Sequence, residues 1–168
     1  MNKRNKISRI FQKNLTIVDI ADCFLRIVDR DSGSTITPLK LQKILYYAQG
    51  YYLALNDCEL FKEDFQAWVH GPVNPKIYDM YKSYGYNSID YPKTKPKKIE
   101  KNTLDFLYSI WDTFGIFDGK YLESLTHTED PWVIARKKAN CHDGESCTEI
   151  ITKKSMKEFF KKKINGNS

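Results

Sequence analysis

Apolar residues return every three or four positions in several separate stretches, and each stretch has its own start and stop signals. Between Thr16 and Asp29, Ile17, Ile20, Ala21, Phe24, Ile27 and Val28 fall on one face, which predicts an amphipathic helix. Thr16 is placed to cap it, Asp19 complements its dipole, and the Asp31–Thr35 segment (DSGST) stops it. The next helix has Thr37 as N-cap and Pro38 at its first position, where a missing N–H costs nothing. Leu41, Ile44, Leu45, Ala48, Tyr52 and Leu55 form its apolar stripe, and Asn56 and Asp57 end it. Gly50 inside that helix costs up to about 1 kcal/mol relative to Ala, so it marks a place where another element crosses closely.

The remaining pattern is shorter. Phe65–Val69 alternates and reads as a strand, followed by a turn at His70–Val73. Asn74 and Pro75 open a helix that Gly85 closes, with Ile77, Tyr78, Tyr81 and Tyr84 along one side. Residues 86–101 form the longest interruption, a lysine- and proline-bearing loop. A helix is predicted over about Asn102–Phe114, with Leu107, Ile110, Trp111 and Phe114 facing the core and Gly115 as its stop. Short helices follow at Gly119–Leu125 and Asp130–Lys138, then a polar loop over 139–147 and a short strand at Glu149–Ile151. Last comes a helix capped by Thr152, with Met156, Phe159, Phe160 and Lys163 stacked. The predicted fold is mainly α, a compact single-domain bundle of about six helices with at most a small two- or three-stranded sheet. Its body spans 14–164, flanked by a basic extension over 1–13 and a tail over 165–168.

Composition changes this picture little. The 168 residues are 41% hydrophobic and 29% charged, ordinary for a globular protein able to build one core without disulfides or metal. No apolar run reaches the ~18–20 residues needed to cross a bilayer, and the basic N-terminus has no apolar core, so it is not a secretory signal. The expected location is the cytoplasm, with no membrane partner. Aromatics are abundant at 14%, with 11 Tyr. Rings with polar tips suit either a core or a contact surface.

The net charge of +6 is unevenly placed. Residues 1–13, 93–101 and 153–163 carry five, five and six Lys or Arg, 16 of the chain's 27. Residues 14–92 carry seven basic and ten acidic side chains. Nucleic-acid binding needs a continuous basic footprint on the folded surface, so this distribution argues against it and fits solvated edges.

Candidate chemistry is sparse. There is no phosphate-binding glycine loop, no H-E-x-x-H and no nucleophile elbow. Cys141, His142 and Cys147 form a C-H-x4-C cluster, but zinc sites pair cysteines more tightly and need a fourth ligand, so no metal and no cofactor are assigned. His127 lies near Glu129 and Asp130, where a carboxylate-oriented imidazole could act as a base or simply tie two helix ends together. No nucleophile is nominated beside it. His70 reads as a turn residue with a half-buried ring, and Trp111 as core. Trp68 and Trp132 suit either packing under a loop or an interface.

Three runs together resemble a known family. They are Thr37–Asn56 (TPLKLQKILYYAQGYYLALN) with Leu60-Phe61, Phe65–Gly85 (FQAWVHGPVNPKIYDMYKSYG) and Leu122–Arg136 (LESLTHTEDPWVIAR). In this order they resemble the SocA-like, or Panacea, antitoxin domain of bacterial and phage toxin–antitoxin systems, including prophage-borne ones. The resemblance covers about residues 15–164. The family often has Arg-Tyr or Lys-Tyr before the Gly-Pro pair, where this chain has Val69-His70.

The resemblance implies a small, mainly helical domain that binds and neutralises a cognate protein toxin encoded beside it, with no established catalysis. Some members add a DNA-binding region, for which the 13 residues before the first helix are too few. Its motif positions here are Trp68, His70, Gly71, Pro72, Tyr78, His127, Pro131, Trp132 and Arg136, structural or partner-binding. Trp68, Gly71, Pro72, His127, Pro131, Trp132 and Arg136 are expected to cluster and brace the two halves. Tyr51, Tyr86 and Tyr91, outside the core stripes, are candidate anchors for the partner. Occlusion of the toxin and delivery of it to a protease are both compatible with the sequence. The rivals are a small hydrolase built on His127, Asp130 and a thiol, and a nucleic-acid-binding accessory protein using the lysine-rich edges.

Overall fold

A computed structural model describes residues 15–166. The basic extension expected over 1–13 lies outside the described residues, as do the last two residues of the 165–168 tail. The elements run α1 (Ile17–Ile27), α2 (Pro38–Asn56), β1 (Phe65–Trp68), β2 (Gly71–Val73) and α3 (Pro75–Tyr81), which passes into a 3-10 turn at Lys82–Tyr84. They continue with α4 (Lys101–Phe114), α5 (Gly119–His127), α6 (Asp130–Lys138), β3 (Ile150–Ile151) and α7 (Lys153–Ile164). The fold is mainly α, with seven α-helices and one small antiparallel sheet among the described residues. None of these helices is long and apolar enough to cross a membrane.

Local chemistry sets the helix starts. Thr16 accepts from the Asp19 N–H while the Asp19 carboxylate accepts from the Thr16 N–H, a reciprocal capping box. Thr37, Asn74 and Thr152 cap α2, α3 and α7 as the sequence indicates, and Asp118 caps α5. Pro38, Pro75 and Pro131 stand in the first turns of α2, α3 and α6.

Helix α2 is the axis of the molecule, and here the expected single stripe is corrected. Every residue from Lys40 to Gly50 is buried, because α1, α4, α5, α7 and the sheet all pack around it. Leu55, expected in the stripe, is exposed at the helix end. Gly50 does mark a close crossing: a Cβ there would stand 2.1 Å from the Phe160 ring of α7. Around that crossing Tyr46, Tyr47 and Phe160 meet edge to face, and Phe114 of α4 stacks on Tyr47 at 4.2 Å.

The sheet order is β2-β1-β3, antiparallel throughout. The turn expected at His70–Val73 is corrected to a two-residue hairpin at Val69-His70, after which Gly71–Val73 forms an edge strand with Trp68 opposite Gly71. Pro72 is tolerated because an edge strand has one side free of ladder bonds. Gly71 has φ +90°, and a Cβ there would meet Thr126 Oγ1 at 2.6 Å, so both conformation and space require glycine.

Smaller corrections follow from packing. Helix α1 ends at Ile27, two residues earlier than its pattern suggests. Helix α5 runs on to His127, which places that residue in a helical last turn. Trp111 is half-buried on α4, with the Lys40 ammonium 4.9 Å from its ring centre.

Candidate functional site

The polar residues of α2 are not surface residues. Gln42 donates to the Asn74 carbonyl at 3.0 Å and accepts from the Asn74 N–H at 2.9 Å. Gln49 donates to the Phe61 carbonyl at 2.7 Å and accepts from the Leu60 N–H at 2.8 Å. Lys43 is wholly buried and donates to the Pro72 carbonyl at 2.9 Å. Burial pushes its pKa down to about 7, against the pull of Glu123. These side chains hold the chain that follows α2, so the hairpin and α3 have fixed positions.

Helix α6 grips β1. Trp132 Nε1 donates to the Trp68 carbonyl at 2.9 Å. Arg136 is buried and donates to the carbonyls of Ala67 at 2.8 Å and of His142 and Glu145 at 2.7 Å each. Its guanidinium lies 5.1 Å from the centre of the Trp132 ring, and His127 stacks on that ring at 4.3 Å. Buried Pro131 starts the helix that carries both Trp132 and Arg136. The motif residues therefore come together around the β1–β2 hairpin, which Lys43 holds at Pro72 and which Trp132 and Arg136 hold at Trp68 and Ala67.

His127 lies in the last turn of α5. Burial lowers its pKa, with the Lys43 and Arg136 cations acting in the same sense against Glu123 and the Val69 carbonyl. Its Nε2 is buried with no hydrogen-bond partner among the described residues. Asp130 starts α6, and Cys141 and Cys147 follow that helix in the chain. Cys141 and Cys147 interact with each other, which raises the Cys141 pKa, and no group of three metal-ligating side chains exists among the described residues.

Facing solvent beside the hairpin is a groove of about 320 Å³. Pro38, Leu39 and Val73 line it together with Trp68 and Tyr78, whose rings meet edge to face at 5.0 Å. Tyr86, 94% exposed, forms its rim with Lys82, Lys120 and His70. His70, expected to have a half-buried ring, has a side chain 62% exposed, and its Nδ1 lies 3.0 Å from Oε1 of the buried Glu123. Glu123 also pairs with Lys120 at 3.1 Å. Burial would raise the Glu123 pKa, but these two partners outweigh it and lower it.

The three candidate tyrosines are scattered. Tyr86 stands open at the groove. Tyr91 is exposed, with the guanidinium groups of Arg26 and Arg30 at 5.3 and 5.7 Å from its ring centre. Tyr51, expected to be exposed, is half-buried against Phe160 at 4.7 Å and Phe114 at 6.0 Å, because α7 crosses beside it at Gly50. Lys43, Glu123 and the groove residues Leu39, Lys82 and Lys120 escaped sequence reasoning. Lys43 alone carried a signal, as a cation inside an apolar helical run.

A buried brace with an aromatic groove beside it defines a helical domain built around a fixed hairpin. Comparison with known proteins gives it a family. The model of the family described as Antitoxin SocA-like, Panacea domain, matches residues 41–133, more than half of the sequence, and the chain belongs to that family. The match spans α2 from Leu41 onward, both hairpin strands, α3, α4, α5 and the start of α6. Among curated proteins, Antitoxin SocA of Caulobacter vibrioides (strain NA1000 / CB15N) is 40% identical over 50 residues. That alignment covers 30% of this chain and 27% of the relative, so the chain matches about a quarter of the relative's length. No solved structure matches the chain.

Proposed function

We propose that this chain is an antitoxin that binds and neutralises a protein toxin encoded next to it, acting in the cytoplasm by stoichiometric contact. The observation that carries the reading is the family match over residues 41–133, which includes the hairpin, Lys43 and Trp132. The curated relative, Antitoxin SocA, supports the same role. The site chemistry is consistent with it: His127 is stacked on Trp132 and Arg136 is engaged by three backbone carbonyls, so both serve the fold. Among the motif residues, Trp68, His70 and Tyr78 keep surface for a partner, while Gly71, Pro72, His127, Pro131, Trp132 and Arg136 position them. Of the three candidate tyrosines, Tyr86 has the freest ring, and Tyr51 and Tyr91 would contribute through their outer edges.

The test is co-expression with the product of the adjacent gene. Growth should be rescued and the two proteins should co-purify. Rescue should survive folded His127→Ala and should fail when toxin is in excess. Inactivation of excess toxin by a trace of this chain, lost in folded His127→Ala, would replace binding with catalysis.

A further inference from the structure

We propose that the groove between the first turn of α2, β1 and α3 seats a short acidic segment of the toxin, one that presents an apolar or aromatic side chain flanked by carboxylates. The inference deepens the antitoxin reading and rests on it. The floor is apolar and the volume, about 320 Å³, suits a few side chains of a linear segment and not a folded domain. Trp68 and Tyr78 offer the residue types that dominate binding energy. Trp68 is held before any partner arrives: its Nε1 donates to Gln66 Oε1 at 2.7 Å, its carbonyl accepts from Trp132, and its ring abuts Tyr78. Preorganisation of this kind reduces the entropy lost on binding.

Charge complementarity selects the acidic segment. Lys82, Lys120 and His70 line the groove, and no Asp or Glu is among its lining residues. Asp79 and Glu123 pair with the two lysines from outside the groove. The lysine side chains are nonetheless 53% and 67% exposed, and each ammonium has three donors, so both can accept a second carboxylate. A nucleic acid could stack on the same rings, but two lysines at one groove are short of the continuous basic track a phosphate backbone needs.

The experiment measures the affinity of the full chain for the adjacent gene's product at low and high salt. Its arms are wild type, Lys82→Glu/Lys120→Glu, Tyr86→Ala, and Tyr108→Ala on α4 as a control away from the groove. The charge-reversed variant should bind at least ten-fold more weakly at low salt, with a smaller deficit at high salt. Tyr86→Ala should lose about thirty-fold, and Tyr108→Ala should match wild type. Peptides tiling the toxin should bind wild type where carboxylates flank an apolar residue, and should not bind the charge-reversed variant. Equal toxin affinity in the folded groove variants and wild type overturns the groove while leaving the antitoxin reading intact. A groove that binds a single-stranded oligonucleotide in a Tyr86-dependent way, with toxin affinity unaltered by the variants, also overturns it. If wild type neither binds the toxin nor rescues growth, the antitoxin reading fails and the proposal with it.

Discussion

Replacing Arg136 with lysine keeps the charge and removes the geometry. The guanidinium reaches Ala67 on β1 with one nitrogen and the carbonyls of His142 and Glu145 with another. A lysine ammonium presents three donors from a single atom, so it cannot span the strand and the loop together. At least one carbonyl loses a charged donor, because an ammonium in place of the nitrogen shared by His142 and Glu145 gives up Ala67. Such a bond contributes roughly 1.5–3 kcal/mol, so the loss is at least about 1.5–3 kcal/mol. For a chain of this size each kcal/mol shifts Tm by about 2–4 °C, so Arg136→Lys should melt at least ~3 °C below wild type. Urea unfolding with an unchanged m value is the matching equilibrium measurement. Trp132→Phe is the graded partner: it keeps the stack on His127 but deletes the bond to the Trp68 carbonyl, and should cost about 1–2 kcal/mol. An Arg136→Lys protein within about 0.5 kcal/mol of wild type would refute the brace.

Gly50→Val should destabilise by about 1–3 kcal/mol in denaturant melts, because its side chain meets the Phe160 ring, and Phe160→Leu in the same chain should restore part of the loss. Lys43 has a folded pKa lowered to about 7 from 10.5, so between those values the unfolded state binds more protons and this residue makes stability rise with pH. The slope approaches about 1.4 kcal/mol per pH unit at most, and Lys43→Met should flatten it between pH 7 and 9; an identical slope in both proteins would contradict the burial of that ammonium. The purified protein should carry no stoichiometric zinc, and one equivalent by elemental analysis, lost along with fold stability in Cys147→Ser, would overturn that expectation.

What the sequence made legible was local. Thr16, Thr37-Pro38, Asn74-Pro75 and Thr152 announce helix starts because a cap needs only neighbours in the chain. Gly50 announced the crossing of α7 because glycine inside a good helix is costly without a reason. Gly71–Val73 was legible only as a turn: Gly-Pro is turn chemistry, and the strand exists through pairing with β1. The burial of α2 on all sides was hidden for a related reason. Gln42, Lys43 and Gln49 look polar, yet each satisfies backbone groups 11 to 32 residues downstream. The brace was anticipated as a cluster, but its bonds run to carbonyls, which every residue carries and no pattern marks. The groove was invisible in the sequence, since it joins Leu39, Trp68, Tyr78, Tyr86 and Lys120 from separate parts of the chain.

Stoichiometric binding and catalytic inactivation of the toxin differ in their titration curves. The most direct measurement titrates purified chain into a fixed concentration of the adjacent gene's product, with toxin activity read after equilibration. Stoichiometric binding gives a linear fall to zero at a fixed molar ratio, independent of incubation time, with the same endpoint for folded His127→Ala. Complete inactivation at a small fraction of that ratio, progressing with time and absent in His127→Ala, would contradict it.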